Sequence, residues 1–96
     1  FRVKHRLVLY SKRFSLMKNQ LINFLYQFFT ERGCAVDIDN LLGLSFKDDI
    51  ALDSFEILTL VMQIELTFGI KIEPQELLDP KTNYVSGFVD VVLAKQ

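Results

Sequence analysis

Residues 53–69 carry the clearest structural signal in this sequence, an amphipathic helix whose start and end are both marked. Asp53 is a favourable N-cap residue, and Glu56 follows three positions later, at the spacing of a capping box. One helical face then carries the apolar residues Ile57, Leu60, Val61, Ile64 and Phe68. Gly69 stands where a C-cap glycine is expected. Because this apolar face must be covered, the pattern predicts a fold in which other helices pack against it.

The remaining periodicity predicts two longer helices and one short helix. Residues 17–32 form the first, with one apolar face made by Leu21, Phe24, Leu25 and Phe28, and Gly33 follows as its C-cap. Residues 84–94 form the last, which buries Val85, Phe88, Val89 and Val92. We expect Thr82 or Asn83 to cap it. Between them, Pro74 opens a short helix over residues 75–78, and Pro80 ends it.

The connecting segments complete the prediction of the fold class. Residues 33–53 form a long loop, which we expect to pack on the core because long loops in compact domains are rarely free. Residues 70–72 alternate like a strand but lack a partner strand, so we expect an extended connector. The predicted fold is all-α, a small four-helix bundle with a long loop between its first two helices and a short third helix.

The composition favours one domain and excludes several classes of site. The chain has 96 residues, half of them hydrophobic and nine of them Phe, so a core can form without disulfides. Cys34 is the only cysteine, which excludes an intramolecular disulfide and a Cys-based metal site. We expect it to be an inert apolar residue. No apolar run approaches the roughly 20 residues that span a bilayer. We therefore expect a cytoplasmic protein without a metal site or stable membrane insertion.

Charge divides the chain into a basic leader, residues 1–16, and an acidic domain, residues 17–96. The leader has Lys and Arg but no acid, whereas the domain holds all twelve Asp and Glu residues. An acidic domain disfavours nucleic-acid binding, because phosphates require a positive surface. Three readings of the leader stay open: a disordered or non-native extension before Met17, which we favour, a remnant of a targeting peptide, and a membrane-surface patch.

Ser54 is the residue to which chemistry is most readily assigned. It follows the N-cap, so it occupies the first helical position, beside N–H groups that have no partner within the helix. Those groups and the helix dipole favour an anion, so a phosphodiester on the Ser54 hydroxyl would be stabilised there. The alternative is a serine that only begins a helix. No Ser/His/Asp or Cys/His arrangement can be proposed, so we expect no catalytic residues and no enzymatic activity.

The string DDIALDSFEILTLVMQIELTFGIKI, residues 48–72, resembles the acyl carrier protein family. Asp53-Ser54-Phe55 is similar to the family's Asp-Ser-Leu attachment motif. Leu60-Val61-Met62 and Phe68-Gly69-Ile70 are similar to the helix that follows the motif and to its end. Together with the first and last predicted helices, the resemblance covers residues 17–96, which would be a carrier domain.

The resemblance implies a 4′-phosphopantetheine arm, which a phosphopantetheinyl transferase moves from coenzyme A to Ser54, beside the motif residue Asp53. The thiol of the arm would hold an acyl or aminoacyl group as a thioester. A monomeric carrier would then present this group to loading and elongating enzymes. The resemblance also implies that the second helix docks these partners, through Phe55, Glu56, Leu58, Met62 and Glu65.

The pathway and the cargo stay open. Thr59, Leu66 and Thr67 stand where fatty-acid carriers usually show acids, which disfavours ordinary fatty-acid synthesis. Fatty-acid, polyketide, peptide and lipid-modifying synthesis all stay open, with the specialised pathways favoured. A specialised peptidyl or D-alanyl carrier is one alternative, and a carrier-fold interaction domain that is never loaded is another. If an acyl chain is sheltered between the helices, the residues expected to line its pocket are Phe24, Phe28, Ile64 and Phe68.

Overall fold

The computed structural model describes the backbone of residues 2–95 and the side chains of residues 16–95. Within residues 2–95 there are three α-helices: α1 (Arg2–Glu31), α2 (Ser54–Phe68) and α3 (Val85–Ala94). The same range contains three short 3₁₀-helices, Ile38–Gly43, Pro74–Leu78 and Pro80–Asn83, and no β-strand. The predicted all-α class is confirmed. The short third helix predicted at residues 75–78 is the second 3₁₀-helix, with Pro74 at its start.

Helix α1 is longer than the periodicity predicted. Its backbone is helical from Arg2, whereas the predicted helix begins at Met17. The basic leader therefore continues into the first helix of the domain without a break. Its division from the domain at residue 16 stays a prediction. At the other end, Gly33 adopts a left-handed φ of 80°. The N–H of Cys34 then bonds to the carbonyl of Phe29 at 3.0 Å, which ends the helix as a glycine C-cap does.

The core lies where the three α-helices meet. Helix α1 contributes four fully or nearly fully buried side chains, Leu21, Leu25, Phe28 and Phe29. Helices α2 and α3 contribute the next set: Leu60, Val61, Ile64, Val85, Phe88, Val89 and Val92. Most of the predicted core faces are thus buried together, whereas Phe24, Ile57 and Phe68 are only partly buried and pack against the edge of the core. Burial of apolar surface is the main stabilising contribution to such a fold.

The long loop between α1 and α2 packs on the core, as predicted. Four of its apolar side chains are buried: Leu41, Phe46, Ile50 and Leu52. Phe46 packs edge-to-face between two helices, 6.0 Å from the ring of Phe29 and 5.5 Å from the ring of Phe88. Its N–H also bonds to the carbonyl of Asn83 at 2.9 Å. These contacts hold the segment that leads into α2.

The start of α3 differs from the prediction, because its N-cap is Tyr84 and not Thr82 or Asn83. The hydroxyl of Thr82 is instead buried and donates to the carbonyls of Leu77 and Asp79, at 3.0 and 2.7 Å. Thr82 therefore ties the second and third 3₁₀-helices together. The cap was predicted from residue type alone. In the fold, the two short helices bring carbonyl groups within reach of the Thr82 hydroxyl, which bonds to them instead of capping α3.

The end of α3 is tied to the second 3₁₀-helix by an ion pair. Lys95 Nζ lies 2.6 Å from Glu76 Oε1. This hydrogen bond, together with one from the N–H of Glu73, lowers the pKa of the Glu76 carboxyl below its usual value.

Candidate functional site

Ser54 is the first residue of α2, and its side chain is exposed. The helix start is held by the predicted capping box. Asp53 Oδ1 accepts the N–H of Glu56 at 2.8 Å, and Glu56 Oε1 accepts the N–H of Asp53 at 3.3 Å. Because both bonds lie within four residues, the local sequence is enough to begin the helix here. The Ser54 hydroxyl is thereby presented at the positive end of the helix dipole.

Arg32, in the turn that directly follows α1, supports this helix start from the side. Arg32 Nε lies 3.6 Å from Glu56 Oε2, and the Arg32 guanidinium stacks on the ring of Phe28 at 3.7 Å from its centroid. A partly exposed ion pair of this kind contributes at most about 1 kcal/mol. Its main effect is geometric, because it turns the carboxylate of Glu56 towards α1 and the N-cap rather than towards solvent.

A cavity of about 470 Å³ opens beside Ser54. Its apolar wall consists of Phe46, Leu52, Ile57, Leu60, Leu77 and Phe88. Its polar groups come from Lys47, Asp53, Ser54, Thr82 and Asn83. The volume falls within the range of about 300–1,000 Å³ that is typical of small-molecule sites. A group attached to the Ser54 hydroxyl would therefore have an apolar cavity within reach.

The cavity is not lined by Phe24, Phe28, Ile64 or Phe68, the four residues that the sequence suggested. Phe28 and Ile64 lie in the closed core, at 4% and 0% exposure. Phe24 and Phe68 pack edge-to-face, with ring centroids 5.8 Å apart, and line a separate open groove. Part of its lining comes from residues near Ser54 in the chain, such as Leu52 and Ile57, but Leu77 and Phe88 lie far along the chain from Ser54. Their apolar character was visible in the sequence, but no local signal placed them next to Ser54.

Four large apolar side chains lie in one line on the solvent face of α2. We call this line the apolar stripe: Phe55, Leu58, Met62 and Leu66. They are 77%, 57%, 60% and 83% exposed. The first three were assigned to docking from the sequence, and their exposure shows that the other face of α2 was chosen for the core. Leu66 was noted only as a missing acid, although its spacing of four residues from Met62 places it on the same face.

The carboxylates of the two acidic residues assigned to docking are both bound by other groups of the same chain. Glu56 belongs to the capping box and the pair with Arg32. Glu65 Oε2 accepts the N–H of Ile72 at 2.8 Å, which anchors the connector that follows α2. Both side chains are half-buried. Their carboxylates are thus directed at the bundle, and the predicted docking role of these two residues stays a prediction.

Cys34 is not part of the candidate site around Ser54 and its cavity. Its side chain is half-buried and packs on the core, and its Sγ lies 3.7 Å from the carbonyl oxygen of Ile50. Among the described side chains, no group of three or more His, Cys, Asp or Glu residues lies together as a metal site would require. Within residues 2–95 no helix is long and apolar enough to cross a membrane.

Comparison of the sequence with models of known protein families finds no match, and a search of curated proteins also finds none. The described residues form a small helical domain. It has an exposed serine at the start of a capped helix, a neighbouring cavity and an exposed apolar helix face.

Proposed function

We propose that this chain is a carrier protein that holds an acyl or aminoacyl group on a 4′-phosphopantetheine arm attached to Ser54. The observation that carries the proposal is the position of Ser54, exposed at the first position of a capped helix and at the rim of the cavity. The resemblance of residues 48–72 to acyl carrier proteins supports the same assignment. The chain is not an enzyme in this proposal, because its part is to carry and present a bound group.

The attachment step moves a phosphopantetheine group from the phosphoanhydride of coenzyme A to a serine hydroxyl. Ser54 Oγ forms a bond to the phosphorus that bears pantetheine, the bond between that phosphorus and the bridging oxygen breaks, and adenosine 3′,5′-bisphosphate leaves with the bridging oxygen. The hydroxyl proton passes to a base of the phosphopantetheinyl transferase. The product phosphodiester lies beside the free N–H groups at the start of α2, where the helix dipole stabilises a negative charge.

The cavity favours a cargo that is at least partly apolar. A thioester held at the end of the arm can fold back towards Leu60, Leu77 and Phe88, which would withdraw apolar surface from water. The pathways that use such a cargo are fatty-acid, polyketide, peptide and lipid-modifying synthesis. The neutral Thr59, Leu66 and Thr67 favour a specialised carrier over one for ordinary fatty-acid synthesis.

The test is the intact mass of the full chain after incubation with coenzyme A and a broad-specificity phosphopantetheinyl transferase. We expect the mass to rise by one phosphopantetheine group, and we expect Ser54→Ala to abolish the rise. Ser86→Ala is the matched control, because Ser86 is also an exposed serine, on α3, and its variant should be loaded normally. An unchanged mass, or equal loading of Ser54→Ala, would contradict the proposal.

A carrier-fold interaction domain that is never loaded is the second candidate, and the exposed apolar stripe is the observation that favours it. The two candidates differ in the state of Ser54 in the cell. Protein purified from its native cell should carry the arm if it is a carrier, and should have the unmodified mass if it is only an interaction domain. An enzyme that acts through the Cys34 thiol would contradict both candidates. Cys34→Ser tests this possibility, because a variant that keeps all function would exclude it.

A further inference from the structure

We propose that Lys47 is a positioning residue, which pairs with the phosphate of the arm and holds the start of the arm over the cavity. This inference rests on the proposed function, because the phosphate belongs to the group attached to Ser54. It assigns a role to a side chain of the long loop that lies outside the motif around Ser54.

The start of α2 holds negative charge before any arm is attached. The carboxylates of Asp53 and Glu56 both lie there, and each accepts a backbone N–H of the capping box. These carboxylates already draw on the positive end of the helix dipole. A phosphodiester on Ser54 would add a further negative charge beside them, so a nearby cation would offset the repulsion between these groups.

Lys47 is a cation on the cavity side of Ser54. It is the one Lys or Arg among the described residues that line the cavity, and Ser54 lines the same cavity. The described side chains form two ion pairs, one at the start of α2 and one at the end of α3, and Lys47 takes part in neither. The side chain of Lys47 is exposed. Its ammonium group is therefore available to an anion at the rim of the cavity.

The backbone that carries Lys47 is fixed by the residues on either side of it. The side chain of Phe46 is buried, and the backbone N–H of Phe46 bonds to the carbonyl of Asn83 at 2.9 Å. The N–H of Asp48 bonds to the hydroxyl oxygen of Ser45 at 3.1 Å. Because both neighbours are held, the ammonium group of Lys47 moves only as far as its own side chain allows, and it stays at the cavity.

The chemistry of an ammonium group suits the phosphate of the arm. It is a compact charge with three N–H donors, and hydrogen bonds between charged partners are shorter and stronger than neutral ones. The cavity wall beside it is apolar, so on that side the attraction is screened less than in open water. A phosphate drawn towards Lys47 would start the arm over the cavity, and a cargo that folds back would then reach Leu60 and Phe88.

The experiment measures how well the cargo is sheltered. The full chain is loaded from hexanoyl-coenzyme A by a broad-specificity phosphopantetheinyl transferase, and neutral hydroxylamine then cleaves the thioester. Because hydroxylamine reacts with the exposed fraction of the thioester, Lys47→Gln should be cleaved about three- to fivefold faster than the parent chain. Lys47→Arg keeps the charge and should be cleaved at nearly the parent rate. Lys71→Gln is the matched control, since Lys71 is also exposed but does not line the cavity, and its rate should equal that of the parent.

The dependence on salt separates the effect of charge from a loss of packing. In about 0.5 M NaCl, the parent chain should be cleaved nearly as fast as Lys47→Gln, because screening removes the attraction between lysine and phosphate. The rate for Lys47→Gln should not depend on salt. Before loading, Lys47→Gln and Lys71→Gln should unfold at the same urea concentration as the parent chain.

The possible results separate this inference from the proposed function. If Lys47→Gln is cleaved at the rate of the parent chain, or Lys47→Arg as fast as Lys47→Gln, the role of Lys47 is overturned and the carrier function remains. A rate difference that persists unchanged at high salt has the same consequence, because the effect would not be one of charge. If the mass of the parent chain does not rise on incubation with hexanoyl-coenzyme A and the transferase, the carrier function itself is overturned, and the role of Lys47 with it.

Discussion

At the scale of single residues, Asp53 does more for the candidate site than its place in a motif indicates. Its carboxylate accepts the N–H of Glu56, and its own N–H is bound by the Glu56 side chain. This reciprocal pair decides where α2 begins and therefore makes Ser54 the first helical residue. The motif residue before the serine is thus explained by helix capping, whether or not a modifying enzyme also recognises it.

Asp53→Ala is expected to lower the free energy of unfolding by about 1 kcal/mol, because the side-chain cap is lost. Asp53→Asn should retain most of the stability, since an Asn side chain accepts the same hydrogen bond. Urea denaturation of the two variants and the parent chain measures both values. Equal destabilisation by Ala and Asn would show that the charge of Asp53, and not its hydrogen bond, stabilises the helix start.

At the scale of elements, α3 is positioned by a close approach to the third 3₁₀-helix. Gly87 is buried, and a Cβ atom added to it would overlap the carbonyl group of Lys81. The glycine therefore permits backbone contact between the two helices. This contact places Thr82, Asn83 and Phe88 around the cavity beside Ser54.

Gly87→Ala is expected to destabilise the fold by about 1–3 kcal/mol, because α3 must shift away from a backbone carbonyl that cannot turn aside as a flexible side chain can. Gly43→Ala is the control, because a Cβ there would meet no described heavy atom within 4 Å. Thermal unfolding of both variants gives the comparison. A Gly87→Ala variant as stable as Gly43→Ala would show that the approach of α3 to Lys81 is looser than the structure indicates.

At the scale of the whole molecule, one aromatic cluster joins α1, the long loop and α3. The ring of Phe46 in the loop packs edge-to-face on the ring of Phe29 from α1 and on the ring of Phe88 from α3. Such ring pairs contribute about 0.5–1.5 kcal/mol beyond their buried area. Because Phe46 is also part of the cavity wall, the cluster links global stability to the shape of the space beside Ser54.

Phe29→Ala is expected to cost about 3–5 kcal/mol of unfolding free energy, since Phe29 is 0% exposed and its removal leaves a cavity in the core. Phe55→Ala removes the same side chain from the exposed stripe and should change stability by no more than about 0.5 kcal/mol. Urea titration measures the pair. Similar losses in the two variants would contradict the placement of α1 against the loop and α3.

The face of α2 shows the limit of reasoning from periodicity. Two apolar stripes run along this helix in the sequence, one through Val61 and Ile64 and one through Leu58 and Met62. Both satisfy helical spacing, so spacing alone does not choose between them. The structure buries the first, and α2 is also held in this orientation at its start through Arg32 and at its end by the hydrogen bond from the N–H of Ile72 to Glu65.

The all-α class, the order of the helices, the capping box and the position of Ser54 at the start of α2 could all be predicted from the amino-acid sequence. Caps and helical periodicity act between residues a few positions apart, so they are readable without a fold. The cavity wall, the hydrogen bond that Glu65 accepts from Ile72 and the N-cap of α3 could not be predicted in this way. Each depends on groups that are distant in the chain, and their distances follow from how the helices and the long loop pack together.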